Sequence, residues 1–90
     1  MQDEFTASIL QGSLDECNLM LLRRGLAMAD FEFKVEKSFS SSFFYVLNIC
    51  ARRTDRAQSY GLYEVSGWIS PFERHLDGNL FRLEDNQYQN

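Results

Sequence analysis

Phe31-Glu32-Phe33-Lys34-Val35-Glu36-Lys37 is the stretch that decides the fold of this chain. Its aromatic and aliphatic side chains occupy every second position, and charged side chains occupy the positions between them. This period of two is typical of a β-strand with one face on a hydrophobic core and the other face in water. The stretch therefore predicts a sheet that needs at least one helix to cover its apolar side.

Three further segments downstream are predicted strands. Residues 43–51 are apolar except for Asn48, as expected for a central strand covered on both faces. Residues 60–69 carry bulky side chains, with Gly61 and Gly67 at expected bends or bulges. Residues 81–84 alternate apolar and charged side chains and predict a short final edge strand.

Two helix starts are visible in the sequence. Ser13 and Glu16 have the spacing of a capping box, and apolar residues recur at helical intervals after it, which predicts a helix over residues 14–28. Ser70-Pro71 with Glu73 predicts a second, short helix that ends at residue 77. Residues 4–10 have the alternation of a half-buried strand, and a helix fits them nearly as well because Phe5 and Ile9 lie four apart.

Together these segments predict a single α+β domain over residues 1–90. One amphipathic helix packs on a mostly antiparallel sheet of three to five strands, and a short second helix lies near the C-terminus. Residues 86–90 are expected to form a frayed tail.

Composition narrows the classes of function. The 90 residues carry a net charge of −4, with 44% hydrophobic and 14% aromatic residues. Direct binding to nucleic acid is disfavoured, because phosphates are bound by cations. A membrane span is not expected, since the longest apolar runs are far below the roughly 20 residues required. Cys17 and Cys50 are expected to be buried free thiols in a cytoplasmic protein, with a single disulfide between them as the alternative.

Catalytic chemistry is sparse. His75 is the only histidine, and the chain has no glycine-rich phosphate loop and no metal-ligand spacing. On a helix, Glu73 and Asp77 share a face from which His75 points away, so a solvated surface histidine is expected. We therefore predict a protein that is not an enzyme and uses no cofactor or metal.

The leading hypothesis is a small acidic interaction protein. The aromatic residues are too numerous for one helix to cover, so either the N-terminal segment and the short second helix cover the rest or a second protein does. Aromatic residues are enriched where proteins meet, which favours an interface. Acidic side chains would steer the chain to a basic patch, and an aromatic surface would supply the buried anchor, as in an inhibitor or adaptor. The partner would be a protein, with nucleic-acid-binding proteins as one source of a basic surface. The predicted partner-binding residues are Asp3, Glu4, Asp15, Glu16, Tyr60, Tyr63, Trp68, Asp77, Glu84 and Asp85.

The alternative is a dimeric regulatory domain that binds a small ligand. Arg52, Arg53 and Arg56 form a basic cluster after the predicted central strand. Guanidinium groups bind phosphates and carboxylates well, so this cluster would hold an anionic group of the ligand. A homodimer is compatible with either hypothesis.

Overall fold

A computed structural model describes residues 4–37, 45–62 and 67–84, and it confirms the α+β class. Within these ranges the chain forms three α-helices, a short 3-10 turn at Met28–Asp30 and a three-stranded antiparallel sheet. In chain order the elements are α1 (Glu4–Leu10), α2 (Leu14–Arg23), β1 (Phe31–Lys37), β2 (Tyr45–Ala51), β3 (Ala57–Gly61) and α3 (Ile69–Asp77).

The sheet has the order β1-β2-β3, and its register brings the apolar positions of the three strands onto one face. Phe33 lies opposite Ile49, and Leu47 lies opposite Tyr60. All four of these side chains are buried. The period of two read from residues 31–37 is therefore confirmed as a strand with one buried and one exposed face.

The prediction that residues 43–51 are covered on both faces is wrong for the described part of that run. Leu47 and Ile49 are buried on the core side, while Val46, Asn48 and Cys50 are only half-buried on the other side. Polar contacts occupy this second face: the Asn48 amide donates a hydrogen bond of 2.8 Å to Glu36. Residues 43 and 44 lie outside the described ranges.

Residues 4–10, whose alternation favoured a strand with a helix nearly as good a fit, form helix α1. This helix lies against β1, where the buried hydroxyl of Thr6 accepts a hydrogen bond of 3.0 Å from the backbone N–H of Val35. Phe5 remains 43% exposed, with its ring 5.7 Å from that of Tyr45. The burial pattern fits a helix and not a strand: Thr6 and Leu10 are buried while Ser8 is exposed, whereas a strand would place all three on one face.

Helix α2 ends at Arg23, five residues before the predicted end at residue 28. Gly25 has φ of 74° and follows the C-cap residue Arg24. The N–H of Gly25 bonds to the carbonyl of Leu22, and the N–H of Leu26 bonds to that of Leu21. This is the Schellman arrangement, which satisfies the last carbonyls of a helix and turns the chain away from the helix axis.

The two predicted serine caps do not form. Ser13 precedes α2, but its hydroxyl donates to the Leu10 carbonyl at the end of α1 instead of accepting from an amide of α2. Helix α3 begins at Ile69 with Trp68 as its N-cap residue, so Ser70 lies inside the first turn. There Ser70 accepts a hydrogen bond of 3.3 Å from Arg74.

The strand predictions at the C-terminal end are also corrected. β3 covers Ala57–Gly61, whereas Ile69, expected at the end of this strand, already belongs to α3. Residues 79–84 form turns instead of an edge strand, because Asn79 and Arg82 both have φ of 59°. Such angles are incompatible with the extended backbone of a strand.

All three helices contribute to one core beneath the sheet. α3 is the short second helix predicted near the C-terminus, so the helical arrangement is confirmed in part, and α1 and α3 share with α2 the covering role expected of one helix. Phe72 of α3 lies at the centre of this core and is fully buried. Its ring centroid lies within 6.2 Å of the centroids of Phe31, Phe33, Tyr60, Trp68 and Phe81. Most of these ring pairs meet edge to face, the geometry that aromatic quadrupoles favour.

Candidate functional site

The aromatic residues predicted to anchor a partner lie in the core. Trp68 is 1% exposed and Tyr60 is 5% exposed. The Trp68 indole N–H donates a hydrogen bond of 3.3 Å to the buried Ser13 hydroxyl, so its polar group also points inward. Tyr63 lies outside the described residues. The expectation that Tyr60 and Trp68 form an accessible surface is therefore corrected, because the helices pack over them.

The predicted acidic residues divide into two groups. Glu4, Asp15 and Glu16 are exposed and take part in none of the described hydrogen bonds or ion pairs. Asp77 is engaged by Arg24 at 2.5 Å, and Arg24 also contacts Glu73 at 2.7 Å. These pairs tie the end of α2 to α3 and neutralise Asp77 locally. Glu84 is exposed, while Asp3 and Asp85 lie outside the described residues.

Two leucines form the most exposed apolar pair among the described residues, and neither was predicted as a site residue. Leu19 and Leu22 are 58% and 56% exposed, although both belong to α2. Three residues apart on a helix, they share a face, and that face lies opposite the buried side formed by Cys17, Met20 and Leu21. Projecting the residues of α2 at 100° per position would have separated the two leucines from the core side.

Asp15 precedes Leu19 by one helical turn and lies on the same side of α2, with Glu16 beside it. We call the surface formed by Asp15, Glu16, Leu19 and Leu22 the α2 outer face. It combines two exposed leucines with two carboxylates on one rigid element. An apolar centre with polar or charged neighbours is the usual arrangement of a protein–protein interface.

The predicted basic cluster is split by the fold. Arg52 and Arg53 line two adjoining clefts beside the turn that follows β2, whereas Arg56 lines neither. Arg23, at the end of α2, lines the first of these clefts together with Arg53. Arg23 was not part of the predicted cluster, because nothing in the local sequence shows that the turn after α2 brings it near residue 53.

His75 is half-buried, in contrast to the solvated histidine that was expected. Its Nδ1 atom lies 2.7 Å from the Tyr60 hydroxyl. The two atoms form a hydrogen bond, and burial raises the pKa of Tyr60, so the phenol stays protonated at neutral pH. The pair therefore acts as a structural link between β3 and α3.

Both cysteines are free thiols, so the alternative of a Cys17–Cys50 disulfide does not apply. Burial raises the pKa of the Cys17 thiol to about 12. The pKa of Cys50 is also raised, by burial and then by the hydrogen bond of 3.6 Å that its thiol donates to Asp55. Thiols with raised pKa values are weak nucleophiles at neutral pH.

Alkylation will distinguish the two thiols. At pH 8 in native protein we expect iodoacetamide to modify half-buried Cys50 at least about tenfold faster than buried Cys17, which is exposed only by unfolding. Mass spectrometry of Cys17→Ser and Cys50→Ser variants assigns the sites, and urea should equalise the rates. If both cysteines react only after reduction, they are bridged and the assignment as free thiols is wrong.

Cys17 also has a consequence for alkaline stability. Its folded pKa lies above its ordinary 9.0, so the folded state holds the proton more tightly. The associated stability is complete below pH 9 and is lost as pH rises from 9 towards 12.

The described residues contain no group of three or more His, Cys, Asp or Glu side chains placed to hold a metal ion. None of the described helices is long and apolar enough to span a membrane. Comparisons of the chain with known protein families, with curated proteins and with solved structures found no match.

Proposed function

We propose that this protein is a small acidic interaction module that acts as an inhibitor or adaptor by occupying the surface of a partner protein. The observation that carries this proposal is the α2 outer face, where Leu19 and Leu22 are both more than half exposed. A soluble domain gains no folding stability from leucines held in water, so a role in binding accounts for them better than a role in packing.

The energy available from these leucines is large enough to support a specific contact. Burying a leucine side chain stabilises by about 1.5–3 kcal/mol relative to leaving it exposed. A stable interface nevertheless buries roughly 800 Å² on each partner, which two leucines do not provide. Leu19 and Leu22 are therefore proposed as the centre of the interface, surrounded by polar and charged neighbours that exclude water.

The charges next to the leucines define the chemistry of the partner. Asp15 and Glu16 are exposed and free of ion pairs within the described residues, and the whole chain has a net charge of −4. A partner with an apolar pocket bordered by lysine or arginine complements this surface. Proteins that bind nucleic acid carry such basic borders, so they are the class of partner that we propose.

Substitution of both leucines tests this proposal. We expect Leu19→Lys/Leu22→Lys to weaken partner binding by about a hundredfold or more, because it removes the apolar contact and places cations against a basic partner. Leu80→Lys is the matched control, since Leu80 is also exposed (44%) but lies outside α2. Partners captured from the native source by wild-type bait are identified by mass spectrometry and their affinities for all three forms are then measured.

The proposal requires a partner that Leu80→Lys retains and Leu19→Lys/Leu22→Lys loses, with unchanged circular dichroism for both variants. Association should also slow several-fold between 0.05 and about 0.5 M salt, because exposed charges are screened at high ionic strength. Equal capture by all three baits would overturn the proposed site. Sedimentation of the purified chain separates this function from self-association through the same face.

A further inference from the structure

Two clefts adjoin at the end of α2 and share three lining residues, Leu26, Arg53 and Leu83. Their volumes are about 490 Å³ and about 570 Å³. Sites for small molecules commonly measure about 300–1,000 Å³. None of the four residues of the α2 outer face lines either cleft, so the clefts are considered as a separate candidate site.

The walls of these clefts concentrate positive charge in an acidic protein. Arg23, Arg24, Arg52 and Arg53 all line one or both clefts, although the whole chain has nine lysine and arginine residues. They come from two segments that are far apart in sequence, the end of α2 and the turn after β2. The fold therefore brings together arginines that lie about thirty positions apart in the sequence.

The arginines differ in how many donors remain available. Arg24 is engaged by Glu73 and Asp77 and serves to hold α2 against α3. Arg52 donates its Nε–H to the Ala29 carbonyl at 3.1 Å, and Arg53 donates from one terminal nitrogen to the Leu83 carbonyl at 2.6 Å. Each of these hydrogen bonds orients one guanidinium group. Further N–H donors remain on each group, since a guanidinium has five.

Arg23 is exposed and takes part in none of the described hydrogen bonds or ion pairs. It shares the first cleft with Arg53, so two guanidinium groups with free donors border the same space. Glu84 also lines this cleft, and Asp30 lines the second, where its carboxylate accepts a hydrogen bond from the N–H of Ala27. Cations thus outnumber carboxylates along the walls.

Apolar side chains form the floor. Leu26 and Leu83 are half-buried and lie in both clefts, and Leu76 and Phe81 of the core lie beneath the first. An inorganic anion would contact only the arginines and leave this floor in water. A ligand with an anionic head and an apolar body would engage both parts of the cleft.

We propose that this cleft binds a small organic anion, with its carboxylate or phosphate group on Arg23 and Arg53 and its apolar body on Leu26 and Leu83. Charge-assisted hydrogen bonds from two guanidinium groups supply orientation, and the leucines supply apolar contact area. Arg52 raises the positive potential of the adjoining cleft. The inference is independent of the α2 outer face and of any protein partner.

Four probes separate the contributions of charge and of apolar area. Phenyl phosphate and 3-phenylpropionate have both, inorganic phosphate has charge alone, and 3-phenylpropanol has the apolar body alone. In an NMR titration of the full chain we expect saturable shifts at the amides of Leu26 and Leu83 with at least one of the two aromatic anions. That anion should bind at least about tenfold more tightly than inorganic phosphate or the alcohol, and comparison of the two identifies the head group.

Variants then assign the site. Arg23→Gln should weaken binding of the better anion at least about tenfold, and because Arg23 has no described partner the fold should be unaffected. Arg56→Gln is the matched control, since Arg56 follows the same strand but lines neither cleft. Arg53→Gln also removes the bond to Leu83, so Arg53→Lys is used beside it to keep a cation in place.

Three results would overturn the proposal. One is the absence of saturable shifts with either aromatic anion up to about 10 mM. Another is equal affinity of the Arg23→Gln and Arg56→Gln variants for the better anion. The third is binding of 3-phenylpropanol as tightly as the anions, which would show that the arginines do not contribute.

Discussion

Replacing Phe72 with alanine is expected to lower the free energy of unfolding by about 3–5 kcal/mol. The Phe72 ring is fully buried, and its aromatic neighbours come from β1, from β3, from the N-cap residue of α3 and from the turn after α3. Its removal leaves a cavity that rings packed edge to face do not fill without losing their own contacts. A domain of 90 residues has roughly 5–13 kcal/mol of stability in total, so the variant would lie near the unfolding threshold.

Urea denaturation followed by fluorescence measures this loss, because Trp68 is the only tryptophan and is buried beside Phe72. Phe5→Ala is the matched control, since Phe5 is 43% exposed, and it should cost about 1 kcal/mol. A loss of less than about 1 kcal/mol for Phe72→Ala would contradict the central position that the structure gives this ring.

The second large effect is expected for Trp68→Ala, with a loss of about 3–5 kcal/mol in the free energy of unfolding. This substitution discriminates between two roles for the same residue. If Trp68 were an exposed anchor for a partner, its replacement would weaken binding and leave the free energy of unfolding nearly unchanged. Because the indole is buried and packs on Phe33 and Phe72, we expect its removal to lower the free energy of unfolding.

Circular dichroism during thermal and urea denaturation gives the measurement, since this variant lacks the fluorophore. Trp68→Phe serves as the conservative control, because it keeps an aromatic ring and loses the hydrogen bond to the Ser13 hydroxyl. We expect it to cost about 1–2 kcal/mol. Should Trp68→Ala retain wild-type stability while losing partner binding, the core assignment of Trp68 would be wrong.

The elements with strong local patterns were predictable from the sequence. β1 follows from strict alternation over residues 31–37, and the start of α2 follows from the helical spacing after Ser13. The end of α2 depends on the backbone of Gly25, whose left-handed φ is one of several conformations open to glycine. Residues 81–84 alternate like a strand, but the positive φ angles of Asn79 and Arg82 are set by turns that alternation does not reveal.

Coverage of the sheet was mispredicted because it depends on tertiary packing. The apolar run over residues 43–51, interrupted only by Asn48, suggested two covered faces, yet α1, α2 and α3 all contribute to a single core. Because three helices cover the core face of the sheet, Trp68 and Tyr60 are buried within the chain itself and not by a partner. Aromatic content alone therefore did not distinguish a core from an interface.

The candidate sites were predictable only in part. Asp15 and Glu16 were predicted as partner-binding residues from their charge, whereas Leu19 and Leu22 were not among the predicted site residues. The arginine clefts require Arg23 and Arg53 to meet, and that meeting depends on the turn after α2 and on the Arg53 bond to Leu83. Contacts between distant segments of this kind leave no local periodicity in a sequence.

The hydrogen bond from the Val35 amide to the Thr6 hydroxyl has a consequence for how molecules of this protein meet. β1 is an outer strand of the sheet, and bare outer strands recruit strands from other chains into fibrils. Helix α1 lies along this edge, and its Thr6 hydroxyl already accepts from the Val35 N–H that an added strand would have to pair with. Growth into intermolecular ribbons is therefore obstructed on this side by a single threonine and the short helix that carries it.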